Sequence, residues 1–235
     1  MILDKGLGLR QLKDLLEVGA EYIDYIKFSF GSSLLYPDRI LKDKIDLIHK
    51  HNLKVYPGGT LFEIVYLEGK LEWYINWARK LNFDALELSE GVIDLNQKDK
   101  IEVAAKIKDA GLELIVEVGK KDKEKKLNWP DFLFHVTTAN DLDPQLVIIE
   151  ARESGKDVSI YDPEGRIKES LFEDILNVVD DQNRLMWEAP LKKQQVKLIK
   201  RLGPEIKLGN IKPEDVLAVE ALRQGLRADT IFIQD

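Results

Sequence analysis

The 235-residue chain contains no cysteine. Disulfides, thiolate nucleophiles and zinc–cysteine centres are therefore excluded, and the chain suits a reducing compartment, so a cytoplasmic location is expected. Histidine is also scarce. His49, His51 and His135 form no H-x-x-H pair, so neither a histidine metal site nor a histidine-activated hydrolase is expected, and Ser154 of "ESG" has no base. No stretch approaches the roughly 18 apolar residues of a membrane span. The opening "MILDKGLGLR" lacks the apolar core of a signal peptide. There is no excess of positive charge either: 35 Lys and Arg face 42 Asp and Glu, a net −7. That argues against a nucleic-acid binder. Internal repeats, low-complexity linkers and hairpin signals are absent as well, so residues 1–235 read as one domain.

What is present is a regular alternation. Short apolar runs suited to buried strands occur at 1–6, 22–29, 53–59, 85–91, 112–119, 146–154, 184–190 and 205–211. Amphipathic helical patterns lie between them, as in 9–20, 37–51, 70–82, 97–111, 167–179, 192–203 and 212–226; the pattern in 128–144 is the weakest. Eight strand–helix units in a chain of this length predict an α/β fold, a (β/α)8 TIM barrel, with a doubly wound open sheet as the alternative.

Strand side chains alternate between two faces. One parity in the second run carries Tyr25, Lys27 and Ser29. In the fourth it carries Glu87 and Ser89; in the fifth Ile115, Glu117, Gly119 and Lys121; in the sixth Ile148, Glu150 and Arg152; in the seventh Met186 and Glu188. The opposite parity is apolar. Polar residues thus fall late in several strands, on the face a barrel turns inward, which is where barrel enzymes keep their sites. Several carboxylates buried together need compensating cations. Lys27, Lys121 and Arg152 supply some, and a divalent ion held by Glu87, Glu117, Glu150 and Glu188 supplies the rest. All-oxygen ligation points to Mg2+, with Mn2+ possible in its place. The bland alternative is a ring of structural ion pairs at a barrel end.

Two glycine-rich stretches, "KGLG" (5–8) and "PGGT" (57–60), match neither a Walker motif nor G-x-G-x-x-G; they can approach an anion or simply turn. "KKDKEKK" (120–126) reads as a solvated loop apart from Lys120 and Lys121, which directly follow a strand. Gly209 and Asn210 of "LGNI", followed by the helix start "KPEDV", form a candidate phosphate cradle.

The motifs "DKGLG", "YIDYIKF", "KVYPGGTLFE", "EVGKKD", "VIIEARESG", "EAPLKKQQ" and "ALRQGLRADT" resemble, in order and nearly end to end, those of the phosphosulfolactate synthase family. The resemblance implies a barrel that assembles as a homo-oligomer and a Mg2+-dependent addition of sulfite to phosphoenolpyruvate, giving (2R)-phospho-3-sulfolactate. It implies Lys121 as proton donor, the four glutamates as a metal-binding set, and Lys27, Lys120 and Arg152 as groups on the anionic substrates. The chain departs from the family pattern in "KFSFGSS" (27–33), in "LGNI", in the "FHVTTANDLDPQ" stretch, and in lacking the family's usual extension before the first strand. Plant heat-stress-associated proteins resemble this family too. Two alternatives stand beside this reading: the same barrel with altered substrates, and a non-catalytic, chaperone-like or interaction protein built on the same barrel.

Overall fold

An apolar run becomes a stable parallel strand only when both of its faces are covered. The computed structural model describes residues 1–120 and 128–231 and covers them in two different ways. The strands are β1 Ile2–Asp4, β2 Tyr25–Phe28, β3 Lys54–Pro57, β4 Ala85–Ser89, β5 Glu113–Val118, β6 Leu146–Ile149, β7 Leu185–Glu188 and β8 Lys207–Gly209. Each lies within a run expected from the sequence. The helices are α1 Leu9–Gly19, α2 Asp38–Lys50, α3 Gly59–Leu67, α4 Leu71–Lys80, α5 Gln97–Asp109, α6 Trp129–Asp141, α7 Glu169–Val178, α8 Lys192–Leu202 and α9 Val216–Arg223.

All strand pairs are parallel. The ladders form two arcs, β1-β2-β3 and β4-β5-β6-β7-β8. At one seam the chain just after β8 meets β1: Ile2 bridges Ile211 in parallel, and Leu3 N donates to Ile211 O at 2.9 Å. At the other seam, Asp84 N donates to Val55 O at 3.0 Å. There the Asp84 side chain replaces a ladder bond by accepting from Val55 N at 2.7 Å. This is the alternating parallel sheet and helix shell of a (β/α)8 fold.

The two strand faces bury separate clusters. Outward residues such as Ile26, Val55, Leu86, Leu114, Val147 and Trp187 pack against the helices. Inward residues Met1, Tyr25, Tyr56, Ala85, Ile115, Leu146, Ile148 and Met186 form a second cluster, the floor of the barrel. The parity read from sequence therefore holds on β2, β4, β5, β6 and β7.

One helix was not expected. The sequence reading carried the third strand through "PGG" to residue 59, but β3 stops at Pro57 and α3 starts at Gly59. Its residues, GTLFEIVYL, are apolar on nearly every side, so the 3.6-residue period that marks other helices is absent.

A buried ion pair fixes the loop after β1. Lys44 of α2 and Asp4 at the end of β1 are both fully buried, 2.7 Å apart. The Lys44 ammonium also donates to Leu7 O and Tyr36 Oη and lies over the Tyr36 ring, 4.1 Å from its centroid. Asp4 Oδ1 accepts from Gly6 N and Leu7 N. Burial lowers the Lys44 pKa, and Asp4 works against that shift. Removing one partner of such a pair strands the other. Lys44→Met should therefore cost about 3 to 5 kcal/mol of stability, read by urea denaturation; a loss under about 1 kcal/mol would show that Asp4 finds solvent.

Candidate active site

Directly above the apolar floor, in the next inward rung, the strands carry charge. Lys27 of β2 is central. Its ammonium lies 2.9 Å from Glu87 Oε2 of β4, 2.9 Å from Glu117 Oε2 of β5 and 3.8 Å from Glu188 Oε1 of β7. All four residues are buried. Burial opposes the charge on Lys27, but Glu117 and Glu87 outweigh it and hold the ammonium well above the ordinary lysine value. Lys27 is thus a permanent cation. Tyr56 lies beside it in the ladder. Burial, then the neighbouring Glu87, raises its phenol pKa far above the usual value, so it stays neutral.

Each carboxylate has further partners, and these explain local sequence. Glu87 Oε1 accepts from Gly59 N at 2.8 Å, at the N-terminus of α3. A Cβ on Gly59 would lie 2.3 Å from that oxygen and 2.4 Å from Ser89 Cβ. The second glycine of "PGGT" is therefore needed so that a helix start can approach Glu87. Glu188 Oε2 accepts from Ala151 N at 2.9 Å and from Asn210 Nδ2 at 3.4 Å. Asn210, in the left-handed region at φ 55°, also donates to Arg152 O at 2.8 Å.

The sequence reading missed Glu63 of α3. It is fully buried and accepts from Val92 N at 2.6 Å, Gly91 N and Ile93 N, so it braces the loop after β4. Ser89 Oγ lies within bonding distance of both Glu63 Oε1 and Glu117 Oε1. One hydroxyl proton cannot make two full-strength bonds, so this junction shares it. Glu63 sits in the one helix that had no periodic signal, and only a charge in an otherwise apolar run could have marked it.

A cavity of about 70 Å3 opens over this layer, lined by Lys27, Glu117, Glu150, Glu188, Arg152 and Asn210 among others. Most of the expected site residues are thus brought together. Gly209 is not among the lining residues; it packs against Met1 and Met186 in the floor. Lys120 was expected to contact substrate. Its ammonium donates to Ile93 O and Asp94 Oδ1, both at 2.6 Å, and it lines a neighbouring cavity. Lys121 lies outside the described residues.

Glu87, Glu117, Glu150 and Glu188 are the glutamates expected to hold a divalent ion. Glu87, Glu117 and Glu188 turn towards the Lys27 ammonium, and Glu87 and Glu188 each spend an oxygen on a backbone N–H. Among the described residues, no three or more acidic or histidine side chains gather around one point where an ion could sit. The Lys27 ammonium stands at the centre of these three carboxylates.

The central cation also sets a pH signature. In Lys27→Met, Glu87 and Glu117 would face each other uncompensated, and their pKa values would rise above those of the unfolded chain. The folded variant then binds more protons than the unfolded one, so its stability falls as pH rises through that window. Urea denaturation at pH 5 and pH 8 should show the variant weaker at pH 8, with a much smaller difference in the wild type. Equal loss at both values would mean that another cation moves in.

Comparison with known proteins places the chain in a family. The chain is 40% identical over 233 residues to phosphosulfolactate synthase of Methanothermobacter thermautotrophicus, covering 98% of this chain and 90% of that one. It is 34% identical to phosphosulfolactate synthase of Bacillus subtilis, over 99% and 92% of the two chains. In fold it is similar to 3-hexulose-6-phosphate synthase from Salmonella typhimurium, with a TM-score of 0.58 at 13% identity over 93% of this chain and 96% of that one. The model of the (2R)-phospho-3-sulfolactate synthase family matches residues 1–229, and the chain belongs to this family of enzymes.

Proposed function

We propose that the protein catalyses the Mg2+-dependent addition of sulfite to phosphoenolpyruvate, giving (2R)-phospho-3-sulfolactate. The carrying observation is the Lys27 ammonium set among buried glutamates beneath a cavity that Arg152 and Asn210 also line, in a chain of this family.

Sulfur attacks the methylene carbon with its lone pair, and the C–S bond forms. The displaced π electrons move through the middle carbon onto the carboxylate as an aci-carboxylate, and a proton then adds to the middle carbon. Two anions must meet, so the chain must supply positive potential in an otherwise acidic protein. Lys27 provides fixed charge from below. Because its pKa is raised, it holds its proton and is a poor donor. Arg152 offers a planar guanidinium suited to an oxyanion. The proton source is then a different lysine, and Lys121, next along the chain from Lys120, is our candidate.

For the metal, a smaller role replaces the four-glutamate cage. Mg2+ commonly takes one or two protein carboxylates plus substrate oxygens, and Glu150 and Glu188, which line the cavity, are the carboxylates we assign to it. When bound it would supply Lewis-acid stabilisation of the developing carboxylate charge. We place the protein in the cytoplasm as a homo-oligomer; among the described residues no helix is long and apolar enough to cross a membrane.

Purified protein mixed with phosphoenolpyruvate, sulfite and Mg2+ should yield phosphosulfolactate by mass spectrometry; its absence would refute the assignment. Excess EDTA should abolish turnover, and Mn2+ should restore part of it. Lys121→Ala should lower kcat by roughly 10²–10⁴-fold, the range for a general acid, with less change in KM. Lys120→Ala should act more weakly, through the Asp94 loop. Near-wild-type turnover in Lys121→Ala would remove that residue from the chemistry.

A further inference from the structure

A second cavity, of about 140 Å3, adjoins the first and is lined by Arg152, Ser159, Lys168, Lys120, Asp157 and Trp129 among others. Arg152 lines both cavities. Gly119 holds a residue of each lining close together: a Cβ there would lie 2.8 Å from Glu150 Cβ and 3.0 Å from both Glu150 Oε2 and Ser159 Oγ.

Among the described residues, two donors of the second cavity's lining are buried without a hydrogen-bond partner: Arg152 Nε and Ser159 Oγ. Arg152 Nη2 is already used, donating to Lys120 O at 3.0 Å. Orphaned buried donors are costly, and a native site that keeps two of them together awaits an acceptor. Among the described lining residues, three are cationic, Arg152, Lys168 and Lys120, and one is a carboxylate, Asp157; Lys120 pairs with Asp94. The space holds on the order of five waters, taking each as about 30 Å3, which suits one compact oxyanion.

The backbone holds these donors in place. Arg152, Asp157 and Ser159 all have left-handed φ angles, 55°, 53° and 46°. Such conformations persist only where the surroundings impose them. Here Asp157 N donates to Asp162 O at 2.9 Å, buried Tyr161 donates to Glu188 O at 2.8 Å, and Gln194 Nε2 donates to Gly155 O at 2.7 Å.

We infer that the loop between β6 and α7 forms an oxyanion subsite, with Ser159 Oγ, Arg152 Nε and Lys168 as its donors. It seats either the phosphate of the enol ester or the sulfite nucleophile, next to the carboxylate cavity. The inference deepens the proposed reaction and rests on it for the identity of the anion, while the binding itself can be measured without turnover.

Inorganic phosphate and sulfite are titrated separately into the full-length protein, followed by calorimetry and by tryptophan fluorescence; Trp129→Phe should remove the fluorescence response but keep the calorimetric signal. At least one anion should bind saturably. Ser159→Ala and Ser159→Gly should each weaken it roughly tenfold, as expected for one hydrogen bond to a charged group, and Lys168→Gln should do likewise. Glycine accepts the left-handed backbone without strain, so Ser159→Gly separates loss of the hydroxyl from misfolding, and a thermal melt accompanies both variants. Phosphate binding that sulfite does not displace marks a phosphate seat; displacement marks a sulfite seat; both support the subsite. Unchanged affinity in both Ser159 variants, or no saturable binding of either anion, overturns it. Anion binding without product formation would refute the proposed reaction and leave the subsite standing.

Discussion

The position of one ammonium group controls the rest of the site. Glu87, Glu117 and Glu188 come from three different strands, and none could remain ionised in a barrel interior on its own. Lys27 lies within 2.9 to 3.8 Å of all three, and it allows the layer to exist. A buried ion cluster of this kind is weak evidence for stability, since well-packed apolar residues often do as well. Its retention across four strands is better explained by a need for fixed charge at that height in the barrel.

That height follows from strand geometry. Successive inward residues along a strand are about 6.6 Å apart, two steps of roughly 3.3 Å. The apolar floor of Tyr25, Ala85, Ile115 and Met186 therefore sits one rung below Lys27, Glu87, Glu117 and Glu188. The floor keeps water from reaching the charges from beneath, which strengthens every interaction above it. Helix α3 adds the positive end of its dipole where Gly59 N meets Glu87. A side chain on Gly59 would push the helix start away and remove that contribution, so the second glycine of the pair serves the protein's own carboxylate.

Much of this was legible in the sequence, because period-two alternation over eight short runs is a strong signal and late-strand charges on one parity are conspicuous against it. The convergence of Lys27 with Glu87, Glu117 and Glu188 follows from parity alone. Alternation says which face a residue takes but not what its long side chain reaches, so Lys120 and the metal assignment could not be resolved that way. The Lys120 ammonium turns to Ile93 O and Asp94, a contact made by a loop whose course no local pattern specifies. Glu63 and Lys44 were invisible for a related reason. Glu63 is the one charge on α3 and Lys44 one of several on α2, and a charge on a helix is read as solvent-facing unless its partner, here the loop at residues 91–93 or Asp4, is already placed.

The sixth strand is where sequence and chemistry meet most directly. "LVII" is buried on both faces and ends at Ile149, and the charged residues that follow are not a frayed end in water. Glu150 is buried in the cavity wall, Arg152 turns into the left-handed region between two cavities, and only Glu153 and Ser154 are exposed. The chain then folds back on itself through Tyr161, whose hydroxyl is tied to the backbone of β7. A rigid loop carrying three strained residues costs folding energy that a simple connection would avoid. A site that must bring two anions together needs donors already oriented before either arrives, because reorienting them during reaction would cost more than holding them fixed.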